Sequence, residues 1–222
     1  MSFTIYLARH GQTTLNKYRR LQGWCDAPLT EQGLEDARIA GKHLRHIKFT
    51  AAYSSDTLRA MRTRDLILKE NENNQPETFE SMNFREQGFG YFEGADSGHV
   101  WTMVGLPENA KTYYEIIDKL GFAATRDLLH KNDPFGDAED DQTYWNRIQA
   151  GFEQLKATYD NGENILLVSH SLTIRTIIDH FAPKYNAPVE GPKNGSVSKL
   201  NVADDGKITV EYYNHFLDGE EY

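Results

Sequence analysis

The sequence predicts an α/β fold, a three-layer α/β/α sandwich around a mainly parallel, mixed central sheet with a C-terminal hairpin. Short apolar runs at residues 3–8 and 165–168 indicate buried strands, because parallel strands covered on both faces are continuously apolar. Segments with apolar residues at helical spacing follow such runs, so strand and helix alternate along the chain. Near the C-terminus, Asp205-Gly206 separates two segments of strand-like pattern, which is a strong hairpin signal.

The first half of the chain repeats a strand-then-helix step. After the first strand, Thr30 is predicted to cap a helix whose apolar residues recur as far as Leu44. A second strand is predicted at residues 51–54 and leads into a helix over 56–68. Residues 77–82 favour a short edge strand, and the glycine-rich stretch after them favours a loop.

The second half contains an irregular helical segment and then returns to the regular pattern. Residues 94–137 are interpreted as a mostly helical insertion or cap over the ends of the strands, within a single domain spanning 1–222. A longer helix over 144–159 precedes the strand at 165–168. The next helix is predicted to bury the apolar side chains from Ile174 to Phe181.

Composition narrows the class of protein. The chain has 222 residues, 39% of them hydrophobic, and a formal net charge of −9. This charge gives no general attraction to nucleic acid or to an anionic membrane, so an anionic ligand must meet a local cluster of cations. The one cysteine, Cys25, cannot form an intramolecular disulfide. The N-terminus lacks the pattern of a secretory signal, and no stretch approaches the ~20 apolar residues of a membrane span, which together predict a cytoplasmic protein.

Two predicted strands end in histidine, at His10 and at His170. In open parallel sheets the ligand binds beyond the carboxyl ends of the strands, where loops and helix N-termini converge. Gly11 lets the backbone approach a ligand closely, and Thr13 and Asn16 supply neutral hydrogen-bond donors. Taken alone, either histidine is more often a structural residue, and the loop is also consistent with a solvated polar turn.

Charged residues near the other strand ends fit a phosphate ligand. Arg9 precedes the first histidine, and Arg59 falls on the first turn of the second helix, so two planar guanidinium groups are expected at the crevice. Glu86 and Glu93 lie in a loop rich in aromatic residues and glycine, where a partly desolvated carboxyl has a raised pKa and can donate a proton. Glu86 is the preferred candidate.

These residues resemble the signature of the histidine phosphatase superfamily, also called phosphoglycerate mutase-like. The resemblance rests on Arg-His-Gly within residues 7–16, on Ser-Asp-x-x-Arg-Ala-x-x-Thr at 55–63, on Glu86, and on Ser-His at 169–170. It implies that His10 attacks phosphorus to give a phosphohistidine and that Glu86 protonates the departing alkoxide. It also implies that Arg9, Arg59 and His170 neutralise the phosphate oxygens, with no metal or other cofactor required.

Further residues are predicted to bind the substrate, and the role of one of them is open. The predicted substrate-binding residues are Thr13, Asn16, Gln22, Gly23 and Ser171. The family has a small residue after the late histidine, whereas Ser171 is polar, so its hydroxyl either contacts phosphate or caps the following helix, with capping preferred.

The sequence favours a phosphatase of small phosphorylated metabolites over three alternatives. A phosphoglycerate mutase is disfavoured because the resemblance implies, for the mutase branch, adjacent arginines and a proline run in the insertion that hold a substrate carboxylate, and this sequence has neither. A non-catalytic binding module is disfavoured because the nucleophile, arginines and acid are all present. Metal catalysis is disfavoured because no zinc-helix pattern of histidines occurs and arginines flank the candidate ligands. Neither the substrate nor the oligomeric state, monomer or homodimer, is predicted.

Overall fold

In a computed structural model that describes residues 2–73 and 75–222, six strands form one sheet between layers of helices. The strands are β1 (Phe3–Arg9), β2 (Ala51–Ser54), β3 (Glu77–Glu80), β4 (Asn164–Ser169), β5 (Val197–Val202) and β6 (Ile208–His215). The helices are α1 (Thr14–Lys17), α2 (Glu31–His43), α3 (Leu58–Lys69), α4 (Ser97–Gly105), α5 (Tyr113–Asn132), α6 (Asp141–Thr158) and α7 (Ser171–Phe181).

The sheet is mixed, with its parallel part at the centre and at one edge. Its strand order is β3-β2-β4-β1-β5-β6. β1 and β2 both pair parallel to β4, and β2 also pairs parallel to β3. β5 runs antiparallel to β1 and β6, and Asp205 and Gly206 lie in the turn between the last two strands. The mainly parallel, mixed sheet and its terminal hairpin are confirmed.

Alternate side chains of the central strands enter two separate cores. Ile5 and Leu7 of β1 pack with α6 and α7 on one face of the sheet. Tyr6 and Ala8 pack with α2 and α3 on the other face. Because successive residues of a strand point to opposite faces, a strand that is apolar at every position must be covered on both sides. The three-layer architecture follows directly.

The ends of the predicted elements agree with the structure to within a few residues. Thr30 caps α2 as predicted, its hydroxyl accepting a bond from the Gly33 N–H at 3.1 Å. α3 begins at Leu58 rather than at Asp56, because Thr57 occupies its N-cap position. β3 is the predicted edge strand and pairs only with β2 among the described residues.

The segment at 94–137 contains α4 and α5 and forms a third apolar cluster with residues that precede it. Val104 and Ile116 of these helices are fully buried there beside Phe92. α5 is kinked at Gly121, whose φ of 75° lies in the left-handed region that favours glycine. The interpretation of this segment as an insertion into a single 1–222 domain stays a prediction.

The helices of this fold are suited to packing on a sheet. None of those in the described ranges 2–73 and 75–222 has the length and apolar character needed to cross a bilayer.

Candidate active site

A cavity of about 230 Å³ opens at the carboxyl ends of β1 and β4. Six of the residues predicted from the sequence line it: Arg9, His10, Asn16, Gln22, Glu86 and Ser171. The other four, Thr13, Gly23, Arg59 and His170, are not among the lining residues and form a layer behind the wall. The structure therefore brings the predicted residues to one place but divides them between the wall and its support.

His10 is held in a defined tautomer at the end of β1. Its Nδ1 lies 2.8 Å from the carbonyl oxygen of Gly11, and since a carbonyl can only accept, Nδ1 must carry the proton. The lone pair is then on Nε2. Burial, followed by the charges of Arg59 and Arg9, lowers the pKa of His10 well below its ordinary value. The imidazole is therefore neutral and nucleophilic.

The backbone around this histidine is fixed from three sides. The Gly11 N–H donates to the Thr63 hydroxyl at 3.0 Å, and the Asn194 side chain donates to the His10 carbonyl at 2.9 Å. On the third side the Gly11 backbone packs directly against that of Gly33 on α2, and a Cβ atom at position 11 would overlap the Gly33 carbonyl. The Arg-His-Gly element needs glycine here for this close approach.

We expect Gly11→Ala to lower the free energy of unfolding by about 1–3 kcal/mol, the usual cost of overpacking a close contact. The measurement is denaturant unfolding of the purified variant. Gly98→Ala is the matched control, because position 98 lies in α4, where an added methyl meets only the Asp96 side chain at 3.3 Å. Equal stability of the two variants would contradict the prediction.

His170 stands beside His10 at the end of β4. The two rings have centroids 5.1 Å apart and are tilted by 59°. His170 Nε2 is 2.7 Å from the Ser55 hydroxyl, which is itself 3.0 Å from the Thr57 hydroxyl. Burial, then Arg59 and His10, lower the pKa of His170 well below its ordinary value. Both imidazoles are therefore kept neutral in the absence of an anion.

The two predicted arginines are anchored to backbone carbonyls. Arg9 donates to the Pro192 carbonyl at 2.6 Å, and burial with the nearby charge of Arg175 lowers the pKa of Arg9 to about 10, against the opposing effect of Glu86. Arg59 donates to the carbonyls of Gly23 and Cys25 at 2.6 and 2.9 Å. Arg59 thus holds the loop at 23–25, rather than standing free at the crevice.

Glu86 is positioned by the N-terminus of α7. Its Oε2 accepts from the Leu172 N–H at 2.9 Å, and its Oε1 accepts from the N–H of Thr173 at 3.0 Å, the Thr173 hydroxyl at 3.2 Å and the Gln87 N–H at 3.2 Å. Aromatic side chains share its cavity, as expected, but these polar contacts are an addition that the loop sequence did not indicate.

The second acid of the loop has a different role. The Glu93 carboxylate accepts four backbone N–H bonds, from Gly23, Trp24, Cys25 and Phe89, at 2.7 to 3.2 Å. It anchors the same loop at 23–25 that Arg59 holds by its carbonyls. The preference for Glu86 over Glu93 as the acid at the site agrees with this arrangement.

Four buried nitrogen atoms of the site residues, three of them donors, have no hydrogen-bond partner. Within the described ranges, eight buried side-chain nitrogen or oxygen atoms have no partner. Four of the eight belong to predicted site residues, namely Arg9 Nε, Gln22 Nε2, Arg59 Nε and His170 Nδ1. An unmet buried donor costs about 1–3 kcal/mol, so this concentration around His10 indicates a place for a ligand rich in acceptors.

One sequence-based expectation is corrected by the structure. Ser171 does not cap α7, because it is the first residue of that helix and His170 occupies the N-cap position without a side-chain cap bond. Two aromatic side chains of the helical segment, Trp101 and Tyr113, line the cavity, and Trp101 also packs in the third apolar cluster.

Sequence reasoning missed two polar residues of α7 that bear on the site. Thr173 fixes Glu86, and Arg175 lines the cavity while being only 4% exposed. Both lie on a helix that otherwise buries Ile174, Ile177 and Ile178. Polar residues interrupting the apolar face of a helix that starts at the ligand edge were the available signal.

No group of three or more His, Cys, Asp or Glu side chains in the described part of the chain is arranged to hold a metal ion.

Known proteins share this sequence and fold. The model of the histidine phosphatase superfamily (branch 1) matches residues 5–215. The crystal structure of a phosphoglycerate mutase from Bacillus anthracis str. Sterne superposes with a TM-score of 0.89 at 36% identity, covering 97% of this chain and 94% of the other.

Two curated relatives carry different enzyme names. The 2,3-bisphosphoglycerate-dependent phosphoglycerate mutase of Methanococcus vannielii is 29% identical over 80% of each chain. Fructose-2,6-bisphosphatase TIGAR B of Danio rerio is 34% identical over 46% of this chain and 41% of its own. Phosphatases and mutases thus both occur among the relatives. The family model spans nearly the whole sheet and all the elements of the site, and the chain belongs to the histidine phosphatase superfamily, branch 1.

Proposed function

We propose that the protein hydrolyses phosphomonoesters of small metabolites in two steps, through a phosphohistidine on His10. The observation that carries this proposal is the set of three buried donors without acceptors, Arg9 Nε, Gln22 Nε2 and Arg59 Nε, with the unpartnered Nδ1 of His170, around a histidine whose Nε2 lone pair is free. A phosphoryl group offers several acceptor oxygens and an electrophilic centre to such a set.

In the first step, His10 Nε2 attacks phosphorus as the P–O bond to the leaving group breaks. The leaving alkoxide takes a proton from Glu86. Two backbone N–H groups donate to Oε1 of that carboxyl and only one donates to Oε2, so the transferred proton resides on Oε2 in this mechanism.

In the second step, water attacks phosphorus and gives its proton to the Glu86 carboxylate as the P–N bond breaks. Inorganic phosphate leaves and both catalytic groups return to their starting states. Covalent catalysis thus divides one difficult displacement into two.

The remaining predicted residues bind the phosphoryl oxygens in this proposal. Arg9 supplies a cationic donor at the cavity wall, and Gln22 and Asn16 supply amide donors there. Behind the wall, the unpartnered Nε of Arg59 and Nδ1 of His170 are the atoms that stabilise charge in the transition state, while the other Arg59 nitrogens keep their loop contacts. Thr13 orients Gln22 through a hydroxyl-to-amide bond of 2.5 Å, and Gly23 supplies the carbonyl that holds Arg59. Ser171 lines the wall, where its hydroxyl can reach the ligand.

The direct test is a search for acid-labile phosphate on His10. Brief incubation with a phosphomonoester, alkaline quenching and mass spectrometry are expected to find one phosphoryl group on the peptide containing His10. His10→Ala is the control that should carry none. An acid-labile phosphoryl group on the His10→Ala protein would refute the assignment of His10 as the nucleophile.

A mutase remains the second candidate because the curated relatives include named phosphoglycerate mutases. Hydrolysis is preferred because two cations of the segment at 94–137 bind other groups of the protein and are therefore not available to hold a substrate carboxylate in the cavity. Lys111 lines a groove that lies outside the cavity. Lys119 donates to the carbonyls of Glu108 and Asn109, and Arg126 pairs with Asp141. Incubation with 3-phosphoglycerate and its bisphosphate primer distinguishes the two, since fast isomerisation with negligible phosphate release would establish the mutase.

A further inference from the structure

Arg175 differs from the other buried arginines in having no acidic partner. Four arginines are buried in the described part of the chain. Arg59 pairs with Asp26, Arg64 with Glu80 and Arg126 with Asp141, but no carboxylate of the described residues lies within 4.0 Å of Arg175. A buried charge without a counter-charge is costly, so its retention needs a reason.

The guanidinium of Arg175 is held rigidly by neutral groups. Its Nε donates to the Ala187 carbonyl at 2.8 Å and its Nη2 donates to the Pro188 carbonyl. The group also lies over the Tyr113 and Tyr114 rings, at 5.2 and 5.6 Å from their centroids. Carbonyl oxygens and ring faces stabilise a cation and fix its direction, but they carry no full negative charge.

The fixed guanidinium faces the same cavity as the reacting groups. Arg175 lines it together with His10 and Glu86, and it contributes to lowering the pKa of Arg9. It lies two residues beyond Thr173, which bonds the proposed proton donor Glu86. Since Arg175 lines the same cavity wall as Glu86, a leaving group that takes its proton from Glu86 would lie in the space that Arg175 also borders.

The groove outside this cavity is also cationic, although the chain carries a net charge of −9. Its basic lining residues are Arg9, Arg19, Arg20, Lys111, Arg175 and Lys193. Within residues 2–73 and 75–222, Glu190 is the one acidic residue that lines it. Such a local field attracts a ligand with more negative charge than one phosphoryl group.

We propose that Arg175 is a specificity residue that binds a second anionic group, a carboxylate or a phosphate, on the leaving group of the substrate. This inference rests on the proposed function, because it places the second anion relative to a phosphoryl group held at His10. It narrows the substrate class to phosphomonoesters whose alcohol carries its own negative charge.

The competing explanation is a purely structural clamp, in which Arg175 only ties α7 to residues 187–188 and to α5. A clamp would affect all substrates alike. A specificity residue changes the preference between substrates that differ in one charge, so the preference, rather than the rate, is the decisive quantity.

The experiment measures kcat/KM for two matched pairs of phosphomonoesters, following phosphate release or phosphorylation of His10. One pair is 3-phosphoglycerate and glycerol 3-phosphate, which differ in a carboxylate. The other is propane-1,3-diol bisphosphate and its monophosphate. We expect the wild type to prefer the anionic member of at least one pair, and Arg175→Gln to reduce that preference about 10- to 100-fold, as expected for loss of a hydrogen-bonded charge.

Arg126→Gln is the matched control. Arg126 is equally buried and stacks on Tyr144 at 3.8 Å, but it does not line the cavity, so its loss should leave the preference unchanged. Thermal melting establishes that each variant is folded. If Arg175→Gln does not fold, Arg175→Lys, which keeps the charge but loses the planar fork, is expected to weaken the same preference, chiefly through KM.

The pair that responds identifies the second anion as a carboxylate or a phosphate. A wild type without preference in either pair, or a preference unchanged by the folded Arg175 variants, would overturn the inference while leaving the proposed function intact. Failure of every substrate to phosphorylate His10 in the wild type would instead refute the proposed function, and with it the place assigned to the second anion.

Discussion

Replacing Glu86 with glutamine is expected to lower kcat for alkyl phosphates by about 10²- to 10⁴-fold, the usual contribution of a general acid. Glutamine has nearly the same shape and keeps an oxygen for the Thr173 N–H and hydroxyl, which Glu86 contacts at 3.0 and 3.2 Å. It cannot deliver a proton to the leaving oxygen. An alkoxide that departs without protonation is a poor leaving group, so the loss should appear in the chemical step rather than in KM.

The leaving group provides the internal check on this prediction. An aryl phosphate with a nitro substituent releases a stable phenolate without help from an acid, so Glu86→Gln should slow its cleavage far less. Glu93→Gln is the matched control in the same loop. It weakens the anchoring of the Gly23, Trp24 and Cys25 N–H groups and is expected to reduce stability without altering the dependence on leaving group. Equal losses of Glu86→Gln activity on alkyl and aryl substrates would refute the general-acid role.

The scaffold of this fold could be predicted because its signals are local. β1 and β4 contain the apolar runs 5–8 and 165–168, and such consecutive apolar residues indicate burial on both faces of the sheet. The turn at Asp205-Gly206 and the cap at Thr30 depend on residues within a few positions of each other. His10 and His170 could be brought together in advance because parallel strands end at the same edge of a sheet.

The support of the site could not be predicted because it joins residues far apart in sequence. Glu86 is held by backbone N–H groups of α7, 86 and 87 residues further on, and no local pattern encodes that meeting. Likewise, no local pattern predicts that Arg59 is anchored by carbonyls 34 and 36 residues away. Ser171 was misassigned because a one-residue shift in the start of α7 turns a cap into a first helical residue.

The electrostatics of the cavity connect this support to the chemistry. Arg9 and Arg59 both act to lower the pKa of His10, so the charges proposed to receive the phosphoryl oxygens also keep the nucleophile unprotonated. An arriving phosphate dianion would offset those charges and favour protonation of the neighbouring His170. The arginine charges thus keep His10 neutral for attack, and protonation of His170 on phosphate binding would stabilise a more negative transition state.

The same two histidines are expected to make the folded state lose stability as the pH falls. Folding lowers the pKa of both His10 and His170 well below 6.5, and burial is the largest cause. Below about pH 6.5 the unfolded chain therefore binds protons that the folded chain refuses, and the free energy of unfolding decreases by up to about 1.4 kcal/mol per pH unit for each histidine, or about 2.7 for both. Above pH 7 both states leave the imidazoles neutral, so this contribution no longer changes.

The prediction is checked by denaturant unfolding at several values between pH 7 and pH 5, comparing slopes so that the titration of carboxylates cancels between variants. His170→Gln removes one of the two buried imidazoles and is expected to reduce the slope by about 1.4 kcal/mol per pH unit. His99→Gln is the control, because that side chain is 93% exposed, so folding hardly desolvates it, and its contact with Asp96 at 3.8 Å lies at the surface. Inorganic phosphate at saturating concentration should flatten the wild-type slope, since its negative charge favours the protonated imidazoles. Identical slopes for wild type and His170→Gln would show that the buried imidazole of His170 does not resist protonation, and the charge arrangement inferred for the site would then be wrong.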